Sequence, residues 1–143
     1  MKLSAHTDGA SKGNPGPSAF GYSIEKDNVV LEEYFEYIGE TTNNSAEYRA
    51  FIAVLKRMKE LGATEVTIYS DSELAVKQIN GLYKVKSPKL KPLFLEVMEL
   101  THTFKSFQVM HIPREYNTRA DNLANKALQK RNAQQKKSVI SNN

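Results

Sequence analysis

Alternation of apolar and polar residues at the start of the chain predicts β-strands. A weak alternation runs over residues 2–8, and the runs at 19–26 and 29–38 are rich in the β-branched and aromatic residues that strands favour. The two-residue link Asp27-Asn28 between the second and third runs is typical of a tight β-hairpin. Aromatic residues mix with glutamates in the third run, so we expect it to lie on a half-exposed part of a sheet.

After the third strand the pattern changes to the helical period. Apolar residues recur at steps of three and four over residues 45–62, which predicts a helix that ends at Gly62. The residues of this stripe are Phe51, Val54, Met58 and Leu61. The remaining predicted elements are a strand over 65–70, helices over 72–80 and 93–104, a strand over 107–113, and a helix over 118–135 with Asn117 as its N-cap.

The order of these elements, β-β-β-α-β-α-α-β-α, predicts an α/β fold. Three strands joined by hairpins, followed by two strands reached through helices, indicate a mixed five-stranded sheet with helices packed on it. The length of 143 residues suits one domain. We expect this domain to occupy residues 1–130 and a basic, flexible tail to occupy residues 131–143.

Composition narrows the possible functions. The chain has no cysteine, which excludes disulfide scaffolds, cysteine nucleophiles and thiolate zinc sites. No run approaches the roughly 20 apolar residues of a membrane span, and the N-terminus lacks the apolar core of a signal peptide. We therefore expect a soluble, cytoplasmic protein that does not enter membranes.

The net charge of +4 favours polyanion partners slightly. The lysine-rich segment 83–92 is explained equally well as a solvated surface.

Four acidic residues fall at predicted strand ends or helix starts, and each has a simple structural explanation. Asp8 and the glycine after it could form a turn. Glu47 could form a capping box with Asn44. Asp71 could cap the following helix, and Asp121 could complement the positive end of the last helix.

Two observations favour a metal site instead. Glu47 is in phase with the apolar stripe of its helix, so it points inward, where an unpaired charge is costly. The predicted fold also brings strand ends and helix starts to one edge of the sheet, where four acids would repel one another without cations. Oxygen ligands without cysteine suit Mg²⁺ or Mn²⁺. Such a cluster on a basic domain indicates two-metal phosphoryl chemistry, in which one carboxylate bridges both ions.

Four segments of the chain closely resemble type 1 ribonuclease H. They are TDGASKGNPGPSAFGY, TTNNSAEYRAFIAVL, IYSDSELAVKQING and HIPREYNTRADNLANKAL, in the order and at the spacing of that family, from about residue 3 to residue 128. The resemblance implies the ribonuclease H-like fold and endonucleolytic cleavage of the RNA strand of an RNA–DNA hybrid. Separately, we expect a monomer without an obligate protein partner. The products would carry 5′-phosphate and 3′-hydroxyl ends.

The resemblance also assigns residues to roles. The metal-binding acids, which would hold two Mg²⁺ ions or Mn²⁺ in their place, are Asp8, Glu47, Asp71 and Asp121, with Asp8 as the bridging ligand. The residues that would approach the minor groove of the hybrid are Gly9, Ser11, Asn14, Asn43 and Asn44. Thr42 matches a hydroxyl that contacts a phosphate of the DNA strand.

Three departures from the family pattern affect these expectations. Glu73 stands where many relatives carry a glutamine that contacts the groove of the nucleic acid. An acid at this position would repel the phosphate backbone of the hybrid. Some relatives carry a longer, Trp- and Lys-rich insertion where this chain has GLYKVKSPKLKP. We therefore expect hybrid binding to be weaker, or to rely on the lysines of this segment, Lys84, Lys86, Lys89 and Lys91. The family's mobile loop histidine has no clear equivalent, and the auxiliary candidates are His111, Arg114 and Glu115.

Other functions on the same fold stay open. A non-catalytic hybrid-binding module is disfavoured because all four acids are present. A transposase or junction-resolving nuclease would normally lie in a longer chain and carry different motifs around the acids. A fragment of a reverse transcriptase is a further alternative. We expect the start and end of the domain to be complete, which argues against such a fragment.

Overall fold

The computed structural model describes the backbone of residues 1–141 and the side chains of residues 1–131. Its elements follow the predicted order. They are β1 (Lys2–Ser11), β2 (Gly16–Lys26), β3 (Val29–Thr41), α1 (Asn43–Glu60), β4 (Glu65–Ser70), α2 (Glu73–Ile79), α3 (Lys91–Thr101), β5 (Ser106–His111) and α4 (Thr118–Ser141), with a short 3₁₀ turn at Arg114–Tyr116 before α4.

The strands form one mixed five-stranded sheet, as predicted, and their order in it is β3-β2-β1-β4-β5. β1 pairs antiparallel with β2, and β2 pairs antiparallel with β3. β1 and β4 are parallel, as are β4 and β5. β1 is therefore the central strand of the sheet.

Helices α1 and α4 cover opposite faces of the sheet. A Cβ on Gly9 would meet α1 at Ala46 and Glu47, whereas a Cβ on Gly21 would meet α4. Gly9 pairs with Phe20, the neighbour of Gly21, so the two glycines face opposite sides of the sheet. The larger core lies under α1, and a smaller cluster that includes Ala19 lies under α4.

The predicted turn between the second and third strands is confirmed. Asp27 and Asn28 have φ values of 52° and 65°, the left-handed conformation that a two-residue hairpin turn requires at both positions. The end of the first long helix is also confirmed. Gly62, with φ of 90°, follows the helix-capping residue Leu61.

The first three strands are longer than predicted. The ladder between β1 and β2 continues to the pair Ser11 and Ser18, and β3 extends to Thr41. Asp8 therefore lies within β1 and does not end it, contrary to the prediction. Gly9 and Ala10 are poor strand formers, but hydrogen bonds to a neighbouring strand hold them in extended conformation.

Several other boundaries also differ from the prediction. Helix α3 begins at Lys91 and includes Pro92, because a proline is tolerated in the first turn, where its missing N–H has no partner in any case. Helix α4 runs to Ser141. Apart from Arg131, the side chains of the predicted tail, residues 131–143, lie outside the described residues. Within the described part of the chain, no helix is both long and apolar enough to cross a membrane.

The substitution Gly21→Ala tests the contact between α4 and the sheet. Its new Cβ would lie 2.5 Å from the Cβ of Leu123 and 2.8 Å from the backbone nitrogen of Ala124, so α4 would have to move. We expect the free energy of unfolding, measured in urea, to fall by roughly 2 kcal/mol or more. The control Asn122→Ala, on the exposed side of α4, should change it by no more than about 0.5 kcal/mol. Equal losses in both variants would contradict this packing.

Candidate active site

Three carboxylates from three different elements meet at the centre of the sheet. Asp8 lies in β1, Glu47 lies in α1, and Asp71 directly follows β4. One oxygen atom from each side chain lies within 4.8 Å of the other two. Three of the four acids expected at a metal site are therefore brought together as one group.

Strand register places two of these acids side by side. Thr7 of β1 pairs with Ser70 of β4, and the two strands are parallel, so the next residue on each strand, Asp8 and Asp71, emerges at the same edge. The acid of α1 is held by a hydrogen bond. The backbone N–H of Gly9 donates to Oε1 of Glu47 at 2.9 Å.

Only glycine fits at the point where β1 meets α1. A Cβ on Gly9 would lie 2.5 Å from the backbone nitrogen of Glu47 and 2.6 Å from the carbonyl carbon of Ala46. This close approach brings the Glu47 carboxylate to β1. The N–H of Gly9 is thus used inside the protein, so any contact of this residue with a hybrid must come from other atoms.

The three acids are deeply buried. Asp8 is 5% exposed and Glu47 is 2% exposed, while the side chain of Asp71 is 7% exposed. Oε2 of Glu47 and Oδ2 of Asp71 have no hydrogen-bond partner. The nearest cation to Oδ2 of Asp71 is the Nε of Arg114, at 3.9 Å, which is too far for a hydrogen bond.

Burial and mutual repulsion change the acidity of this group. Burial raises the pKa of the Asp8 carboxyl far above its ordinary value, and the charge of Glu47 raises it further. The pKa of Glu47 is also raised, mainly by burial, although the hydrogen bond from Gly9 opposes the shift. Without a cation, the folded protein therefore favours protonated carboxyl groups at this site.

Asp121 joins the group through Asp8. It lies in the first turn of α4, half-buried, and its carboxyl interacts with that of Asp8 closely enough to raise the pKa of Asp8 by hydrogen bonding. Asp121 is outside the set of three that fall within 4.8 Å of one another. Asp8 thus interacts with each of the other three acids.

The structure removes three of the four simple explanations for these acids. Asp8 is in a strand and not in a turn. Thr42, not Asn44, caps α1, because its hydroxyl accepts the N–H of Ser45 at 3.1 Å, and the capping-box interpretation of Glu47 was wrong. Ser72 caps α2, so Asp71 does not. Only the helix-end explanation of Asp121 is compatible with the structure.

These residues fit a hard divalent cation. All the available ligands are carboxylate oxygens, which such ions prefer. Two buried carboxylate oxygens without hydrogen-bond partners point to a positive group that would satisfy them. The raised pKa values indicate the same need, since a cation among the acids would favour their charged forms.

The residues expected to contact a hybrid form a connected surface beside the acids. Asn14, in the loop between β1 and β2, accepts the backbone N–H of Asn43 with its Oδ1 at 3.1 Å. Ser11 accepts a hydrogen bond from Ser18 at 2.9 Å and donates to the carbonyl of Gly13. The loop after β1 is thus tied to the start of α1, where Asn43 is exposed.

Thr42 and Asn44 line a surface groove with a volume of about 670 Å³. Two basic residues, Arg49 of α1 and Lys89, line it as well. Arg49 was missed in the sequence, although it stands one helical turn after Ser45, another residue of the groove, and this spacing could have identified it. Of the predicted lysines, Lys84 and Lys91 line a different pocket.

The charge of Glu73 is compensated within the protein. Nζ of Lys77 lies 2.6 Å from Oε1 of Glu73, one helical turn away, and this hydrogen bond lowers the pKa of Glu73. Lys77 also lies over the ring of Tyr83. The repulsion expected from an acid at this position is therefore reduced by its own helix.

The auxiliary candidates differ in their distance from the acids. Arg114 is in the turn before α4, with a side chain that is 85% exposed, and it faces Asp71. Glu115 is exposed in the same turn and is not one of the three clustered acids. His111 is exposed at the end of β5. Among these candidates, a contact with one of the clustered acids is seen for Arg114.

The mixed sheet, its helices on both faces and the acids on its central strand define a ribonuclease H-like fold. The sequence model of the reverse transcriptase-like family matches residues 6–127. The chain belongs to this family and, within it, to the ribonuclease H proteins.

Two curated relatives are longer than this chain. A bifunctional protein of Mycobacterium tuberculosis is 42% identical over 130 residues, which are 90% of this chain and 36% of the relative. Ribonuclease HI of Halobacterium salinarum is 39% identical over 128 residues, which are 89% of this chain and 64% of the relative. The chain thus spans less than two thirds of the length of either protein.

Two solved structures are similar over nearly their whole length. RNase H1 from Halobacterium salinarum has 37% identity and a TM-score of 0.88, over 91% of this chain and 99% of that one. LC11-RNase H1, solved in complex with an RNA/DNA hybrid, has 42% identity and a TM-score of 0.85, over 90% of this chain and 97% of that one.

The raised pKa values predict how stability depends on pH without metal. Between the ordinary pKa of a carboxyl group and its raised value, the folded protein binds more protons than the unfolded chain, so stability falls as pH rises. We expect the metal-free protein to melt at a lower temperature at about pH 8 than at about pH 6, by roughly 3 °C or more, which in a domain of this size corresponds to about 1 kcal/mol. Asp8→Asn should reduce this dependence and raise the melting temperature at pH 8.

Glu99→Gln is the matched control, because Glu99 is exposed on α3. It should melt like the wild type at both pH values. If Asp8→Asn were less stable than the wild type at pH 8 in a metal chelator, the proposed repulsion among the buried acids would be contradicted.

Proposed function

We propose that this chain hydrolyses the RNA strand of RNA–DNA hybrids endonucleolytically and leaves 5′-phosphate and 3′-hydroxyl ends. The single observation that supports it most is the buried group of Asp8, Glu47 and Asp71, with two carboxylate oxygens lacking partners. A merely structural group of acids at the centre of a sheet would be costly, because repulsion and burial both oppose it.

We assign two Mg²⁺ ions, for which Mn²⁺ can substitute, to the four acids. Asp8 interacts with each of the other three acids, so it is best placed to contact both ions, and Glu47, Asp71 and Asp121 would supply the further ligands. When bound, such ions activate water as a nucleophile and stabilise the negative charge of the reacting phosphate. Arg114, exposed beside Asp71, can contact the same phosphate.

Recognition of a hybrid requires that each strand be identified. RNA is distinguished by its 2′-hydroxyl groups, which are accessible in the wide minor groove. Asn14, Asn43 and Asn44 carry short amides that can bond these hydroxyls without reading bases. The groove beside Thr42, with Arg49 and Lys89, supplies positive charge for phosphates of the DNA strand. The similarity to LC11-RNase H1, which was solved with an RNA/DNA hybrid, supports a hybrid as the substrate of this chain.

Two alternatives give different outcomes in one experiment. A labelled oligonucleotide is offered as hybrid, RNA duplex, DNA duplex and single strand, with Mg²⁺ and with a chelator. We expect metal-dependent cleavage of RNA in the hybrid. Binding without cleavage would instead indicate a hybrid-binding module, and cleavage of DNA would indicate another nuclease of this fold. The predicted monomeric state and cytoplasmic location stay predictions.

Asp8→Asn should abolish this cleavage. The variant keeps the size of the side chain but removes the charge that would hold both ions, so we expect at least roughly a thousandfold loss of kcat. Circular dichroism should show the fold unchanged. Glu99→Gln should cleave at the wild-type rate. Full activity of Asp8→Asn would reject the metal assignment.

The substitutions Arg49→Ala and Lys89→Ala test the groove. Each removes a positive charge from the surface proposed to hold the DNA strand, so we expect KM for the hybrid to rise about three- to tenfold with little change in kcat. The dependence of KM on salt concentration should also become weaker. Lys59→Ala, at the other end of α1, removes the same charge and should have no such effect. An equal rise of KM in all three variants would contradict the assignment.

A further inference from the structure

Asn117 connects two parts of the chain that each carry an acid of the site. Its side-chain Nδ2 donates to the backbone carbonyl of Thr7 at 2.9 Å, across 110 residues of sequence. Thr7 directly precedes Asp8 on β1. The side chain is 1% exposed, so this hydrogen bond is made in the protein interior.

The backbone of the same residue holds the other acid. The carbonyl of Asn117 accepts the backbone N–H of Asp121 at 3.1 Å, in the first turn of α4. The N–H of Asn117 donates to the carbonyl of Arg114 at 2.9 Å. One buried residue therefore binds the strand next to Asp8, the helix at Asp121 and the turn that carries Arg114.

An ordinary capping role does not explain the side chain. An asparagine N-cap accepts an N–H of the first helical turn with its Oδ1. Here Oδ1 of Asn117 has no hydrogen-bond partner, and the amide nitrogen is directed to β1. The orientation of the amide is chemically determined, since only the NH₂ group can donate to a carbonyl oxygen. An unpaired buried oxygen costs stability, so helix capping alone would favour a different side chain.

We propose that Asn117 is a positioning residue that fixes the distance between Asp8 and Asp121 and thereby sets the affinity of the site for divalent cations. This inference rests on the proposed metal site. The bond to Thr7 fixes the backbone immediately before Asp8, and the bond from Asp121 fixes the start of α4. Without the side chain, the hydrogen bond that ties the start of α4 to the carbonyl of Thr7 is lost, and the two carboxylates can separate.

The effect should be measurable as metal affinity. Groups that orient metal ligands without touching the metal typically change affinity or activity by about 10- to 100-fold when they are removed. We therefore expect Asn117→Ala to raise the Kd for Mn²⁺ about tenfold, measured by calorimetry in the absence of nucleic acid. The kcat for the hybrid should fall at low Mg²⁺ and recover at high Mg²⁺, with KM unchanged.

Gln78→Ala is the matched control for the loss of a buried amide. Gln78 is 6% exposed, and its Oε1 accepts the hydroxyl of Tyr48 at 2.8 Å, between α2 and α1. This variant should lose stability to a similar degree and keep its Mn²⁺ affinity within about twofold. An equal loss of affinity in both variants would show that metal binding follows general stability, which would overturn the proposal.

Asn117→Ser separates positioning from helix capping. Serine is as good an N-cap as asparagine, but its short side chain cannot reach the carbonyl of Thr7. We expect this variant to fold, even if Asn117→Ala does not, and to bind Mn²⁺ about tenfold more weakly. If Asn117→Ser bound Mn²⁺ with wild-type affinity, Asn117 would act only as a helix cap, and the proposal would be overturned. Because metal binding is measured without a hybrid, a protein that binds Mn²⁺ but cleaves nothing would reject the proposed function and leave this inference intact.

Discussion

The burial of three carboxylates within 4.8 Å of one another is the constraint on which the rest of the structure depends. Each charge is costly in the interior, and each raises the cost of the others. Specific features of the fold hold them in place. The parallel register of β1 and β4 aligns Asp8 with Asp71, and Gly9 lets α1 approach closely enough to deliver Glu47.

This constraint separates the residues of the site that the core holds in place from those that lie at the surface. The acids lie on the central strand and on elements packed directly against it, so their positions are fixed by the core. Most of the side chains proposed to meet nucleic acid lie on loops and in the first turns of α1, and Asn14, Thr42 and Asn43 are exposed there. The charge of Glu73 is balanced by its ion pair with Lys77.

Sequence patterns predicted the fold and the four acids as candidates for one site, and the structure groups three of these acids. The helical period revealed that Glu47 points inward, and the two-residue turn at Asp27 and Asn28 fixed a hairpin. Failures came where long-range pairing overrides local preference: Asp8 lies inside β1 because β2 extends the ladder past Gly9. The bond from Asn117 to Thr7 spans 110 residues, and local sequence carries no signal of it. The resemblance to ribonuclease H supplied the roles that local patterns left open.

Anomalous scattering from Mn²⁺ in crystals of the protein with a hybrid that cannot be cleaved would test the central claim most directly. Two Mn²⁺ peaks about 3.5–4 Å apart, both in contact with Asp8 and flanked by Glu47, Asp71 and Asp121, are the predicted result. Mn²⁺ bound elsewhere on the protein, with these four carboxylates free of metal while the hybrid is bound, would contradict it.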